Sequence, residues 1–209
     1  SRPPFEPWVE DGRLYGRGAC DMKGGLVAAV EAVRQVMEAG SDNAGEIIVL
    51  AVPAEEDGGA GSLASIRAGY SGDACVIMEP TGLEIVVAHA GAITFTLDVP
   101  GKAAHASMRR EGASALEHLE YLRGALVHDE RTRNEAETHP LMRAIGLPYP
   151  TMIGQVEGGS WASTVMDRVA AHGRYGVRLG QDCDGAAHDL RSAITQAWEA
   201  HPFLADHPL

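Results

Sequence analysis

The sequence has no run of basic residues, and this absence limits the partners that the protein can bind. Lysine and arginine number 17 against 29 aspartates and glutamates, so the formal net charge of the 209 residues is −12. Nucleic acids and anionic membranes are bound by clustered Lys and Arg, so the composition argues against both partners. No stretch approaches the roughly 18 apolar residues of a membrane span, and the opening SRPPFEPW does not resemble a signal peptide.

Cysteine is scarce as well. The three cysteines, Cys20, Cys75 and Cys183, are far apart and odd in number. They indicate neither a disulfide framework nor a thiolate zinc site, and a reducing cytoplasm is the expected location. With 45% hydrophobic and 22% charged residues, the composition is typical of a globular protein with a core. The proline-rich opening looks like the middle of a loop and provides neither a start nor a cap, so we expect the chain to be a piece of a longer protein.

Several catalytic motifs are missing from the sequence. It has no HExxH helix, no GxSxG elbow and no phosphate-binding P-loop, and GRGACD lacks the third glycine of a dinucleotide fingerprint. The block DCDGAAHDL begins like a calcium loop at Asp182 but lacks a glutamate at its twelfth position. We therefore interpret Asp182 as the cap of a helix.

The sequence does contain three short acidic blocks. Glu55 and Glu56, in PAEED, follow the apolar run EIIVLAV, while Asp21 lies in GRGACDMKGG and Glu79 in MEPTG. Adjacent carboxylates repel and raise one another's pKa, so the glutamate pair suggests a nearby cation or proton transfer. Taken singly, the pair could be two solvated acids, Asp21 a helix N-cap and Glu79 a turn residue. Together the blocks predict carboxylates at one edge of an open α/β sheet.

The predicted elements divide the chain near Ala90. Residues 1–90 contain a helix entered at Asp21 and ending near residue 39, a buried strand at 46–52, a short helix at 61–68 and a strand at 74–78. This alternation predicts a parallel sheet, which would be part of an open-sheet catalytic domain.

The second half, residues 91–209, follows a different pattern. Ile93, Phe95, Leu97 and Val99 alternate with small or polar residues, which predicts an antiparallel strand with one wet face. We then predict a helix at 114–127, strands at 152–157 and 168–179, and a helix at 185–200. The first of these helices has Leu116, Leu119, Leu122 and Leu126 on one stripe. One more strand would complete a ferredoxin-like α+β layer.

Five motifs in order resemble one known family. They are GRLYGRGACDMKGG, PAEED, MEPTG, GKAAHAS and GQVEGG, and they extend over essentially the whole chain. They look like the motifs of the dizinc metallopeptidase and deacylase family, which includes acetylornithine deacetylase, succinyl-diaminopimelate desuccinylase, aminoacylase and glutamate carboxypeptidase. The resemblance implies a zinc-hydrolase sheet domain at 1–90, followed by an inserted ferredoxin-like lid at 91–209 that forms a homodimer.

The resemblance also implies roles for the acidic residues. Asp21 would bridge two zinc ions, for which cobalt can substitute, while Glu56 would bind the first ion and Glu79 the second. Glu55 would be the general acid/base, taking a proton from the attacking water and passing it to the departing amine. The peptide bond between Asp21 and Met22 would be cis.

Two residues of the lid receive roles in the same way. His105, in GKAAHAS, would reach the active site from a second subunit and donate to the tetrahedral oxyanion. Arg178 would bind the substrate's carboxylate, a task that suits a bidentate guanidinium. Without the motifs, both would be ordinary surface residues.

Two departures from the family pattern limit the expectations. The family's first and last metal-binding histidines correspond to positions that the 209 residues do not contain. We therefore expect this chain by itself to bind zinc weakly or not at all and to be inactive. Thr164 also stands where desuccinylase-like members tend to carry asparagine, which leaves the acyl group open.

The resulting hypothesis is an amidohydrolase that removes an acyl group from a small amino acid. A di- or carboxypeptidase acting on short peptides, with the same chemistry, is the first alternative. A catalytically silent homologue that serves dimerisation or ligand binding is the second. Glu55 argues against the silent homologue, because a protein without catalysis has no use for an unligated carboxylate beside metals.

Overall fold

The computed structural model describes residues 2–40, 45–56, 58–86 and 89–209. The chain is a mixed α/β protein, as the sequence predicts, and divides into two compact units, Ser1–Val87 and Ala88–Leu209. Within the described ranges, none of the helices has both the length and the apolar character needed to cross a membrane.

The first unit contains a small hairpin and two helices. Strand β1 (Trp8–Glu10) pairs antiparallel with β2 (Arg13–Tyr15), and helices α1 (Gly24–Glu38) and α2 (Ala60–Arg67) follow. The rings of Trp8 and Tyr15 stack across the hairpin, with centroids 5.0 Å apart. Helix α1 begins at Gly24 and not at Asp21, so that predicted boundary is wrong.

The two buried strands predicted for this unit are not observed. Residues 46–52 and 74–78 form no strand. Most of their large apolar side chains are 43% to 80% exposed, while Val52 and Met78 are partly buried. A strand is defined by hydrogen bonds to a neighbour, and no described residue pairs with either segment. The β-branched residues of these two segments favour a strand, but the described part of this unit provides no neighbouring strand to pair with them.

The second unit is built on a three-stranded antiparallel sheet. The strands lie in the order β3, β5, β4, and β4 carries an irregularity between Ile153 and Gln155. The predicted order of strand, helix, strand, strand, helix is observed, with a short additional helix, α4, before β4. The elements are β3 (Gly91–Pro100), α3 (Ala115–Glu135), α4 (Pro140–Ile145), β4 (Thr151–Gly158), β5 (Arg168–Val177) and α5 (Cys183–Ala200).

The core of this unit lies between one face of the sheet and helices α3 and α5. On β3, Leu97 and Val99 are buried while Thr96 and Asp98 are exposed, which is the alternation that the sequence predicts. The predicted leucine stripe of α3 is corrected at one position, because Leu116 is 43% exposed. The core-facing residues of this helix are Ala115, His118, Leu119, Leu122 and Leu126.

Helix α5 begins and ends with side-chain hydrogen bonds to the backbone. Asp182 accepts from the Gly185 N–H at 2.7 Å, which confirms it as a helix cap. After the helix ends, Nδ1 of His201 accepts from the N–H groups of Phe203 and Leu204, at 3.2 and 3.3 Å. Leu204 is fully buried, so His201 fixes the turn that brings it into the core.

Protonation of His201 at Nδ1 would break the two hydrogen bonds that it accepts from Phe203 and Leu204. Its Nδ1 faces two N–H donors, so a proton there would replace an acceptor with a third donor. The rings of His118 and Tyr121 lie 4.8 and 4.9 Å from the His201 ring. Burial lowers the pKa of His201 below its ordinary value of 6.5, and the charge of His118 lowers it further.

We therefore predict that acid destabilises the second unit through His201. The native state binds the proton less readily than the unfolded state, so stability is lost as the pH falls below about 6.5 towards the lowered native pKa. His201→Asn keeps an acceptor oxygen but does not titrate, and it should flatten the dependence. The measurement is urea unfolding at several values between about pH 7.5 and pH 5.5. His188→Gln, at an exposed position of α5, is the control; an equal flattening there would contradict the prediction.

Candidate active site

Asp21 lies in an irregular turn before α1. The turn Ala19–Lys23 follows Gly18, whose φ of 76° is left-handed, and Asp21 itself has extended angles of φ −117° and ψ 101°. The Asp21–Met22 peptide bond is cis, as the family resemblance implies. Because Asp21 stands three positions before the first residue of α1, it is not the helix N-cap.

Glu55 and Glu56 lie on the loop that leads into α2. Ala54 has a positive φ of 56°, and the loop is closed by hydrogen bonds from the Gly59 N–H to the Glu55 carbonyl at 2.8 Å and from the Ala60 N–H to the Ala54 carbonyl at 3.1 Å. Both glutamate side chains are exposed. The loop therefore presents two carboxylates to solvent just before the helix begins.

Two glycines let the helices approach the acidic loops closely. A Cβ atom on Gly25 of α1 would lie 2.2 Å from the carbonyl oxygen of Met78, next to Glu79. A Cβ atom on Gly61 of α2 would likewise lie 2.2 Å from the carbonyl oxygen of Pro53, two positions before Glu55. Any side chain at either glycine would push the backbone apart, so these contacts help to position the loops.

The acids of the other two sequence blocks act on Glu79 through their charges. Partial burial raises the pKa of Glu79, and the charges of Asp21, Glu55 and Glu56 raise it further, in that order. Like charges disfavour the ionised form, and a bound cation would relieve this effect. Within the described ranges, however, no three His, Cys, Asp or Glu side chains stand close enough to hold a metal ion.

His105 lies in the second unit, where it caps the turn Ala106–Glu111. Its Nδ1 is 3.3 Å from the Ser107 backbone N–H, which can only donate, and 2.9 Å from the Ser107 hydroxyl. Nδ1 is therefore the acceptor, and the proton of the neutral ring is on Nε2. His105 is exposed, so Nε2–H is available as a donor.

Residues before β5 surround His105 and were not assigned a site role from the sequence. His105 forms an isolated antiparallel bridge with Thr164, and the Ala106 N–H donates to the Ser163 carbonyl at 2.9 Å. The ring of Trp161 lies 6.0 Å from the ring of His105 and is 62% exposed. The sequence signals for this neighbourhood were Trp161 and Thr164, both in the segment GGSWAST.

Arg178 lies at the opposite end of β5 from His105. It follows the last residue of the strand, and its guanidinium donates to Asp189 of α5 at 2.8 Å while remaining 44% exposed. Ten strand residues separate this end from the Thr164 end, which is about 30 Å at roughly 3.3 Å per residue. The structure thus does not bring His105 and Arg178 together within one chain.

Carboxylates gathered from separate loops of a mixed α/β chain are typical of the metal-dependent hydrolases. A family model described as Peptidase family M20/M25/M40 matches residues 1–207. The chain belongs to this family, which confirms the resemblance found in its motifs.

Individual relatives carry the names of deacylases. The acetylornithine deacetylase of Salmonella heidelberg (strain SL476) is 28% identical over 215 residues, covering 100% of this chain and 55% of the relative. A probable succinyl-diaminopimelate desuccinylase of Staphylococcus epidermidis (strain ATCC 12228 / FDA PCI 1200) is 39% identical over 119 residues, covering 56% of this chain and 29% of the relative.

A solved structure shares the fold. The aminopeptidase PepT from Bacillus cereus ATCC 10987 has a TM-score of 0.50 at 22% identity, covering 93% of this chain and 50% of that one. The chain therefore spans about half the length of the relatives that it matches over most of its own residues.

The close approach of Gly25 to the Met78 carbonyl predicts that a side chain at this position lowers the stability of the protein. Although alanine is the better helix former, Gly25→Ala should reduce the free energy of unfolding by about 1–3 kcal/mol, because its methyl group collides with the Met78 carbonyl. Gly124→Ala is the matched control, since Gly124 also lies in a helix, α3, and a Cβ there has no neighbour within 4 Å; this substitution should not lower the free energy of unfolding. Urea unfolding followed by circular dichroism measures both. Equal effects would show that the Gly25 contact does not hold the loop.

Proposed function

We propose that the whole protein is a metal-dependent hydrolase that cleaves the amide bond of a small N-acyl amino acid. The observation that carries the proposal is that helices α1 and α2 pack closely against the loops of Glu79 and Glu55, at Gly25 and Gly61, and that the charges of Asp21, Glu55 and Glu56 raise the pKa of Glu79. It supports a site in which acids from three loops share one neighbourhood. Family membership supports hydrolysis, and the names of the deacetylase and desuccinylase relatives favour an acylated amino acid as the substrate.

We propose that the cofactor is a pair of zinc ions, for which cobalt can substitute. Asp21, Glu56 and Glu79 would hold them, with Asp21 shared between the two. These oxygen donors suit the role, and a cation among them would offset the repulsion that raises the pKa of Glu79. When bound, zinc supplies a Lewis acid and lowers the pKa of a water molecule. The carboxylates are only part of a ligand set, so the remaining ligands would come from elsewhere in the whole protein.

Glu55 is the proposed general acid/base. Its carboxylate is exposed on the loop before α2, and its neighbour Glu56 is the proposed ligand, so Glu55 remains free to move a proton. It would take a proton from the water that attacks the amide carbonyl. When the C–N bond breaks, it would deliver that proton to the departing amine, which leaves as the neutral amine.

His105 is the proposed donor to the oxyanion that forms on the attacked carbonyl. The hydrogen bonds from Ser107 to Nδ1 fix the ring and leave Nε2–H as the donor. A donor oriented in advance stabilises developing negative charge without reorganisation during the reaction. Arg178, with a partly exposed guanidinium, is the proposed group that binds the substrate's carboxylate.

The separation of these two residues supports a homodimer with shared sites. An N-acyl amino acid is much shorter than the roughly 30 Å of β5, so one substrate cannot touch both residues of one chain. His105 would therefore come from one subunit and Arg178 from the other. We propose that the second unit is the dimerising lid, a ferredoxin-like layer; the β3, β5, β4 strand order supports this because it is the split β-α-β order of that layer.

A di- or carboxypeptidase is the alternative function, because the same residues could cleave a peptide bond. An assay with zinc or cobalt against N-acetylornithine, succinyl-diaminopimelate and a panel of dipeptides distinguishes the two. A catalytically silent protein would turn over none of these substrates.

Glu55→Gln tests the proton-transfer role in the whole gene product. The substitution keeps the side chain's shape but removes the base, so we expect kcat to fall by about 10²–10⁴-fold with metal content unchanged. Glu84→Gln, at an exposed acid of the same unit, should leave kcat unaltered. Turnover that survives Glu55→Gln would refute the assignment.

Mixing two inactive variants tests the shared site. His105→Ala and Arg178→Ala should each lose most activity. In a mixed dimer, one of the two sites would regain both residues, so random subunit exchange should restore about a quarter of wild-type activity. If both residues served a site from the same subunit, no mixed dimer would contain an intact site, and mixing would restore nothing.

A further inference from the structure

Arg178 is held at both its backbone and its side chain by two residues that follow it in the chain. Its N–H donates to Oε1 of Gln181 at 3.2 Å, and its guanidinium donates to Oδ2 of Asp189 at 2.8 Å. The amide of Gln181 also donates to Oδ2 of Asp189, at 2.8 Å. The three residues therefore form a closed ring of hydrogen bonds.

The turn that carries Arg178 is also fixed from its other side. The Leu179 N–H donates to the hydroxyl of Tyr149 at 3.1 Å, and that hydroxyl donates to the carboxylate of Glu137. Tyr149 is fully buried, so its ring provides a rigid support. Because the backbone next to Arg178 is held in this way, the bond to Asp189 decides where the guanidinium points.

An open cleft lies beside this ring of hydrogen bonds. It has a volume of about 400 Å³ and is lined by the turn and by residues near the end of α3, including Arg133 and Glu137. Asp189 accepts a hydrogen bond from one N–H group of the Arg178 guanidinium. A guanidinium has five N–H donors. Donors therefore remain for a carboxylate, and a restrained guanidinium loses less conformational freedom when it binds one.

We propose that Asp189 and Gln181 are positioning residues that orient Arg178 for a substrate carboxylate; the proposal rests on the function proposed above. Folding stability does not explain the arrangement, because an ion pair with side chains 44% and 32% exposed contributes little to folding. The same exposure means that variants at Asp189 should fold. In this proposal both side chains act by orienting Arg178, through the hydrogen bonds that join the three residues.

The experiment compares two substrates in the whole gene product: an N-acetyl amino acid and its carboxamide, which lacks the carboxylate. Asp189→Ala should raise KM for the acid about tenfold and leave kcat within about twofold, while both constants for the carboxamide stay unchanged. Gln181→Ala should raise KM for the acid by a smaller factor. Glu199→Ala, at an exposed acid of α5, is the matched control and should change nothing.

Arg178→Ala separates this proposal from the one on which it depends. If Arg178→Ala does not reduce the preference for the acid over the carboxamide, Arg178 does not bind the carboxylate and the proposed function is wrong at that residue. If it does, and Asp189→Ala has no effect or affects both substrates equally, the positioning role is overturned. In the Arg178→Ala background, Asp189→Ala should have no further effect on KM.

Discussion

The close approach of helix backbone to two acidic loops is the constraint on which the candidate site depends. Gly25 of α1 lies against the Met78 carbonyl, next to Glu79, and Gly61 of α2 lies against the Pro53 carbonyl, two positions before Glu55. A side chain at either glycine would collide with the backbone of the loop. The charges of Asp21, Glu55 and Glu56 raise the pKa of Glu79, so backbone packing holds these loops in place although their like charges disfavour it.

The second unit could be predicted well because its core lies within its own sequence. The alternation of Leu97 and Val99 and the buried Leu119 and Leu122 each find their partners in the same unit. The first unit could not be predicted as well. An apolar β-branched run such as 46–52 suggests a strand, but it forms one only where a neighbouring strand pairs with it. Leu116 was misplaced for a smaller reason, since the stripe on α3 passes through Ala115 and His118 instead.

The candidate site was predictable where motifs carry it and unpredictable where contacts link distant residues. Sequence order suggested that the acidic blocks lie near one another, and the raised pKa of Glu79 agrees with this. It could not reveal that Trp161 lies beside His105, or that Asp189 receives the Arg178 guanidinium. Nor could it reveal that β5 separates His105 from Arg178, because the length of a strand matters only once the register is known.

The end of β5 that carries Arg178 is held by a second arginine, and the two should be considered together. The guanidinium of Arg133 is buried, bonds to Asp129, Thr151 and the Gly176 carbonyl, and lies 3.9 Å from the Tyr175 ring. Burying an ion pair is costly, and an apolar replacement is often equally stable. Stability alone therefore does not explain Arg133. Its bonds join α3, β4 and β5 at the place where Arg178 leaves the sheet, and so limit the movement of the backbone that carries it.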